Sequence, residues 1–238
     1  MSDLLSNLDQ ELLKIVSECG ELAFHLDFQA YLVGGPVRDL LLNCPNTDLD
    51  ITVEGSGLRL AENFAKKYPS AKLVTYPAFK TATVTLPSGF VVDFATARRE
   101  TYSKGGVFPT VTPSHLKDDL FRRDFTVNAM AISINPGAMG KLKDPFGGMA
   151  DLRAKRIRVL HERSFLDDPT RILRAARFKT RLGFTLESGT LKVLKAAVKA
   201  KALDTIKRQR YGKEFDKILK EKKAKGAIEC LKLWKALK

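Results

Sequence analysis

Leu5, Leu8, Leu12, Val16, Cys19 and Ala23 recur at steps of three and four, a spacing that predicts an amphipathic opening helix packed on the elements after it. A short apolar run, Ala30 to Val33, stops at Gly34-Gly35, and Pro36 then stands where a first helical turn tolerates a missing N–H, ahead of Val37 to Leu42. This is strand, glycine turn, short helix. Leu49, Ile51 and Val53 then alternate with Asp48, Asp50 and Thr52, so a strand here puts both carboxylates on one face and three apolar groups on the other. Leu60, Ala61, Phe64 and Ala65 mark a helix ending near Tyr68-Pro69; Lys72 to Tyr76 and Thr81 to Leu86 read as strands; Pro87-Ser88-Gly89 turns the chain back into a strand over Phe90 to Ala95. Thr101 to Phe121, rich in Gly, Pro and Thr, reads as a long mobile connection, and Arg156 to Leu160 as a last strand. Beyond Leu182 the apolar residues Leu191, Leu194 and Val198, then Phe215, Ile218 and Leu219, then Ile228, Leu231 and Trp234 form helical stripes among many lysines.

Charge divides the chain the same way. Residues 1–150 hold 15 Lys and Arg against 17 Asp and Glu, and residues 151–238 hold 26 against 10, which together give the net +14 of all 238 residues. A near-neutral first part joined to a strongly basic second suggests chemistry in front and a polyanion held behind; a solvated lysine-rich helix bundle is the plainer alternative. Cys19, Cys44 and Cys230 are far apart and form no cluster with His25, His115 or His161, so neither a zinc site nor a disulfide framework is indicated. The first ten residues carry no basic n-region and no apolar run approaches a membrane span, so the expectation is a cytoplasmic protein with no membrane partner.

The candidate chemistry begins at Gly34-Gly35, where backbone N–H groups can approach an anion without interference from a Cβ and the next helix adds partial positive charge. Asp48 and Asp50, pointing one way, repel unless a cation lies between them, and carboxylates are ligands that Mg²⁺ prefers. Taken alone, the pair reads more plainly as a half-buried strand with a solvated acidic face; the glycine turn directly before it is what favours a metal site. Asp93 lies mid-strand among apolar neighbours, where a charge is costly unless it binds metal or pairs with Arg98 or Arg99. In Arg122-Arg123-Asp124-Phe125-Thr126-Val127-Asn128 two arginines offer forks to phosphate, Asp124 can cap the helix that comes next, and Asn128 carries donor and acceptor. Asp168 can cap a helix with Pro169 at its first position, and Asp168, Arg171, Arg174 and Arg177 step by three along one surface, which alone reads as a solvated, salt-bridged face.

Gly34-Gly35-x-Val37-Arg38-Asp39 followed by Asp48-x-Asp50 resembles the head-domain signature of class II tRNA nucleotidyltransferases, with bacterial poly(A) polymerases as close relatives. Four more matches come in the family's order: Asp93, the Arg122–Met130 segment, Asp144-Pro145-Phe146-Gly147-Gly148 with Asp151-Leu152 as a hinge, and Asp167-Asp168-Pro169-Thr170-Arg171, where Asp167 replaces the family's usual glutamate. Gln209-Arg210-Tyr211-Gly212-Lys213-Glu214 faintly resembles a fifth motif, E-R-x-x-x-E, and is assigned no function. The resemblance implies an α+β fold: a polymerase-β-like nucleotidyltransferase head with a mixed, largely antiparallel sheet and flanking helices over residues 1–160, then an all-α basic neck that contacts RNA over 161–238. The family's usual body and tail domains are expected to be absent from this chain.

The activity so implied is template-independent transfer of C or A from CTP or ATP to the 3′ end of tRNA, releasing pyrophosphate. Asp48, Asp50 and Asp93 would be catalytic and hold two Mg²⁺ ions; Gly34, Gly35 and Arg38 would cradle phosphates; Arg123 and Asn128 would hold triphosphate and ribose. Asp168 and Arg171 would read the base edge, since cytosine and adenine each present an amine beside a ring acceptor. Asp124, Arg174 and Arg177 complete the expected nucleotide-binding set, and the 101–121 loop would help select the nucleotide. A poly(A) polymerase is the alternative within the family, and a non-catalytic RNA-binding remnant the alternative outside it. The terminal apolar residues of IECLKLWKALK could pack on a second copy, giving a homodimer, or on a further domain.

Overall fold

Asp9 divides the first helical pattern in two. Leu4–Asn7 forms a single 3-10 turn, and α1, Gln10–His25, starts where the Asp9 carboxylate accepts a 2.9 Å hydrogen bond from the N–H of Glu11. The structure is a computed structural model that describes residues 4–45 and 48–237, apart from the side chain of Ser6, so positions 46–47, just before Asp48, lie outside the described residues. Next come β1 (Gln29–Val33), α2 (Gly35–Leu41), β2 (Asp48–Glu54), α3 (Gly57–Lys66), β3 (Lys72–Tyr76), β4 (Thr81–Thr85) and β5 (Val91–Thr96). Each matches the apolar pattern that announces it.

Seven strands form the main sheet in the order β3-β4-β5-β2-β1, followed by β8 (Ala131–Ser133) and β9 (Leu142–Lys143). All neighbours are antiparallel except β2 and β5, which run parallel with Asp50 opposite Asp93. The expected mixed, largely antiparallel sheet is therefore present. Leu49, Ile51 and Val53 of β2, Val92 and Phe94 of β5, and Ala82 and Val84 of β4 are buried, and α3 packs against β4 and β5 with Phe64 5.5 Å from Phe94, centroid to centroid. Burying each such side chain is worth about 1.5–3 kcal/mol. Helix α1 lies so close to the sheet that a Cβ on Gly20 would stand 1.9 Å from the carbonyl oxygen of Ile134.

The Thr101–Phe121 segment corrects the expected long connection. It contains the end of β6 (Arg98–Thr101), then β7 (Thr110–Pro113), which pairs with β6 in a two-stranded sheet, and α4 (Leu116–Phe121). Helix α4 is anchored at its start, where the Leu116 N–H donates to Glu54 Oε1 at 2.6 Å. Only residues 102–109 connect strand to strand.

By its contacts the chain divides into two units: one of Met1–Arg99, Val111–Arg123 and Asn128–Phe146, and one of Glu100–Thr110, Asp124–Val127 and Gly147–Lys238. This interleaved division differs from a single cut at residue 160. The second unit contains α5 (Gly148–Arg153), β10 (Arg156–Ile157), α6 (Ser164–Asp167), α7 (Thr170–Leu182), β11 (Thr185–Leu186), α8 (Ser188–Lys199), α9 (Arg208–Leu219) and α10 (Ala224–Leu233). The strand expected at Arg156–Leu160 shortens to β10 and pairs parallel with β11, so this unit is mainly but not wholly helical. Ile172, Leu173, Ala175, Ala176 and Phe178 bury one side of α7, against which α9 and α10 pack. Glu187 caps α8 by accepting from the N–H groups of Gly189 and Thr190, which holds its carboxyl down at about 2. Among the described residues no helix is long and apolar enough to cross a membrane.

Candidate functional site

Period two in β2 leaves Asp48 and Asp50 on the sheet face opposite Leu49 and Ile51, and the register of β5 brings Asp93 beside Asp50. Asp48 is exposed and Asp50 half-buried. Asp93 is exposed as well, which corrects the premise that a mid-strand charge here is costly: its apolar neighbours Val92 and Phe94 point into the core, and Asp93 points away from it. It accepts a 2.5 Å hydrogen bond from Thr83 Oγ1 on β4. Burial pushes the Asp50 carboxyl up to about 6; Arg123 pulls against this, and the negative charges of Asp93 and Asp48 add to it. Among the described residues, no three His, Cys, Asp or Glu side chains are gathered as a ready metal cluster. The three aspartates are nonetheless hard oxygen donors on one face whose mutual repulsion a divalent cation would relieve, so the residues fit Mg²⁺ in kind.

Gly34 ends β1 with φ +75, the left-handed region, and a Cβ there would lie 2.4 Å from Arg123 Nη1 and 3.6 Å from Asp50 Oδ2. The glycine turn thus makes room for a guanidinium and a carboxylate at one point. Arg123 is steered there by Asp119 of α4, which is wholly buried and accepts from Arg123 Nη2 at 3.1 Å and from Arg122 Nε at 2.9 Å. Arg123 Nε is buried without a hydrogen-bond partner, an unused donor beside the glycine turn that suits an anion.

Arg38 lies at the same turn, its Nη2 3.7 Å from where a Cβ on Gly35 would stand. It is 3% exposed and forks onto Asp39 at 2.8 Å for both bonds, while Nη1 donates to Asn128 Oδ1 at 2.5 Å. The network spans 90 residues of sequence and fixes the Asn128 amide, itself buried.

Within the second unit, Asp124 is buried and does not cap an α-helix; one oxygen accepts from the N–H of Phe125 and the other from Arg174 Nε at 2.7 Å. The arginine row on α7 is not a solvated face. Arg171 is 5% exposed and donates to Ser164 Oγ at 2.6 Å; Arg174 lies 3.8 Å from Glu214; Arg177 lies 3.8 Å from Glu221, and both flank the Phe178 ring. Asp168 lines a cavity of about 620 Å³ together with Thr170, Arg174, Arg210, Glu214 and Phe108. Sequence reasoning passed over Arg210, Glu214 and Phe108. The E-R-x-x-x-E likeness was the available signal, because Arg210 and Glu214 at i and i+4 share one side of α9.

Stability against pH probes the surroundings of Asp50. A carboxylate whose pKa is higher folded than unfolded binds its proton more tightly when folded, so Asp50 detracts from stability above about pH 6 and that penalty fades as pH falls toward 4. In metal-free buffer Asp50→Asn should stabilise the chain by about 2 kcal/mol at neutral pH and by almost nothing near pH 4. Thermal melts at both pH values check this; a variant less stable than wild type at neutral pH would contradict it.

Residues 30–158 match the poly A polymerase head domain family. The A-adding tRNA nucleotidyltransferase of Geobacter sulfurreducens is 41% identical over 222 residues, which are 93% of this chain and 25% of that protein. The A-adding tRNA nucleotidyltransferase of Halalkalibacterium halodurans is 38% identical over 241 residues, 99% of this chain and 56% of that protein. A solved CCA-adding enzyme without ligand aligns with a TM-score of 0.92 at 43% identity, over 99% of this chain and 55% of that one. This chain thus spans between about a quarter and about half the length of the proteins it resembles. With the glycine turn, the paired aspartates and the sheet order in place across the matched residues, the chain belongs to the poly A polymerase head domain family.

Proposed function

We propose that this chain carries out the nucleotidyl transfer of a tRNA-processing enzyme, adding a nucleotide from ATP or CTP to the 3′ end of tRNA without a nucleic-acid template. The observation that supports this most is the meeting of Asp50, the Gly34 turn and Arg123 at one point, with Asp48 and Asp93 on the same face. In this reading Asp48, Asp50 and Asp93 would hold Mg²⁺, which when bound would supply charge neutralisation at the triphosphate and a lowered pKa for the attacking 3′ hydroxyl. Arg123 and the Gly34-Gly35 N–H groups bind the phosphates, so the leaving pyrophosphate departs against fixed positive charge. Arg38 and Asp39 act one step removed, holding the Asn128 amide in the orientation in which it meets the ribose.

The base is read in the cavity of the second unit, where Asp168 accepts from the exocyclic amine of adenine or cytosine. Asp124 and Glu214 hold Arg174 at the wall of that cavity, Arg177 supports the same helix face, and Arg171 fixes the Ser164 segment before Asp168. The basic helices beyond it attract the RNA backbone. The Geobacter and Halalkalibacterium relatives are both A-adding enzymes, and this favours addition of the terminal A.

Product length at single-nucleotide resolution tests the proposal. With Mg²⁺ and ATP, a tRNA ending in CC should gain one A; with CTP alone it should gain nothing. Two or three additions to a tRNA lacking CCA would move the assignment to CC or CCA synthesis, a long A tract would make the chain a polymerase, and no addition under any condition would refute the activity.

A further inference from the structure

Asp93 is an exposed carboxylate tied by a hydroxyl, and strand β4 explains why the tie forms. The alternation in β4 buries Ala82 and Val84 and leaves Thr81, Thr83 and Thr85 half-buried on the sheet face that carries Asp48, Asp50 and Asp93. The register gives each threonine a different partner. Thr81 stands opposite Ala95, Thr85 opposite Val91, and Thr83 opposite Asp93, to whose Oδ1 its hydroxyl donates at 2.5 Å. Any strand suits a threonine, so Thr81 and Thr85, set against apolar partners, need no other account. Thr83 is the one whose hydroxyl meets an acceptor across the ladder.

Strand order puts that donor on a definite side. β5 lies between β4 and β2, so Thr83, Asp93 and Asp50 form one row across the sheet, with Thr83 and Asp50 on opposite sides of Asp93. Neighbouring strands are about 4.8 Å apart, close enough for the two carboxylates to repel. Asp50 has the positive charge of Arg123 beside it. Asp93 has no such partner: among the described residues neither Arg98 nor Arg99 pairs with it, and Arg98 Nη1 donates instead to the Phe79 carbonyl at 2.6 Å. An exposed carboxylate so placed swings away from its neighbour unless something holds it. The hydroxyl holds Oδ1 from the β4 side, and Oδ2 is the acceptor left over.

We propose that Thr83 is a positioning residue for the cation site: its hydroxyl fixes the rotation of Asp93, so that Oδ2 is ready to join Asp50 on one divalent cation. The three aspartates are not gathered as a ready cluster, so what orients each of them decides whether they converge on an ion. Holding Asp93 in advance removes the rotational freedom that the cation would otherwise have to freeze on binding. The fold gains little from an exposed hydrogen bond of this kind, and a valine would serve the strand as well. The inference rests on the reading of Asp93 as a ligand for Mg²⁺.

Mn²⁺, standing in for Mg²⁺ and followed by the paramagnetic resonance of the unbound ion, is titrated into the full chain for wild type, Thr83→Val, Thr83→Ser, Thr85→Val and Asp93→Asn. Thr83→Val keeps the β-branched shape and loses the donor. It should weaken Mn²⁺ binding roughly tenfold, as loss of a ligand's orienting hydrogen bond does, while its melt in metal-free buffer stays that of wild type. Thr83→Ser keeps the hydroxyl and should restore most of the affinity; Thr85→Val should bind as wild type does. Asp93→Asn should weaken binding at least as much as Thr83→Val. Wild-type affinity in Thr83→Val, or a loss that Thr83→Ser or Thr85→Val shares in full, overturns the inference alone when Asp93→Asn still weakens binding. A wild type that binds no Mn²⁺, or an Asp93→Asn variant that binds it as tightly as wild type, refutes Asp93 as a ligand and the inference with it.

Discussion

Asp119→Ala should cost the chain about 3–5 kcal/mol, the amount lost when one partner of a buried ion pair is removed. Asp119 has no exposed surface. Burial works against its charge, but Arg122 and then Arg123 outweigh that and hold its carboxyl below the usual carboxylate range. Truncation leaves two largely buried guanidiniums, at 19% and 16% exposure, without their common counter-charge. A carboxylate with a lowered folded pKa contributes stability that is complete above its unfolded pKa near 4 and disappears as pH falls through the folded value, so the deficit of the variant should narrow only in strong acid. Asp119→Asn, which keeps the shape and one acceptor, should lose less. Denaturant melts at neutral pH measure both, and a loss below about 1 kcal/mol for Asp119→Ala would show that the Arg122 and Arg123 pairing is not the anchor of this turn. Because Asp119 also aims Arg123 at the glycine turn, the variant should lose nucleotide affinity even under conditions where it remains folded.

Asp48→Ala/Asp50→Ala should do the opposite to stability. Removing two like charges from one strand face, one of them raised to about 6 by burial, relieves repulsion, so the double variant should melt no lower than wild type in metal-free buffer. Nucleotide addition should nonetheless fall by about a thousandfold or more, since several kcal/mol of transition-state stabilisation go with the metal ligands. A group kept for folding is missed by the fold, whereas a group kept for chemistry is missed by the reaction alone. The same comparison separates an enzyme from an RNA-binding scaffold that has kept the head, because a scaffold would bind RNA unchanged and show no activity to lose.

What could be read from the sequence was local. The alternation in β2 placed Asp48 and Asp50 on one face because a strand admits only two faces, and the glycine turn was legible because Gly34 needs a conformation that side chains resist. Asp93 shows an alternation left unfinished: Val92 and Phe94 flank it in sequence but occupy the other face, so apolar neighbours in a strand argue for exposure at the position between them. Non-local pairing hid the rest. Thr, Gly and Pro between 101 and 121 suggested looseness, yet β6 and β7 find each other across residues 102–109. Nothing near Arg38 in sequence reveals that Asn128, 90 residues on, accepts from it. Asp168 and Arg171 sit three residues apart, but Asp168 precedes α7 and turns back to cap Thr170, whereas Arg171 lies within the helix and is drawn to Ser164.

Whether the β2 carboxylates carry the chemistry is decided by extension of a tRNA ending in CC, with ATP and Mg²⁺, by wild type and by Asp48→Ala/Asp50→Ala, both shown to be folded by their melts. Wild type should add a single A, an addition lost on chelation of Mg²⁺, and the variant should give no product above background. Extension by the folded double variant at a rate within tenfold of wild type would place the chemistry somewhere other than Asp48 and Asp50 and contradict the proposed site.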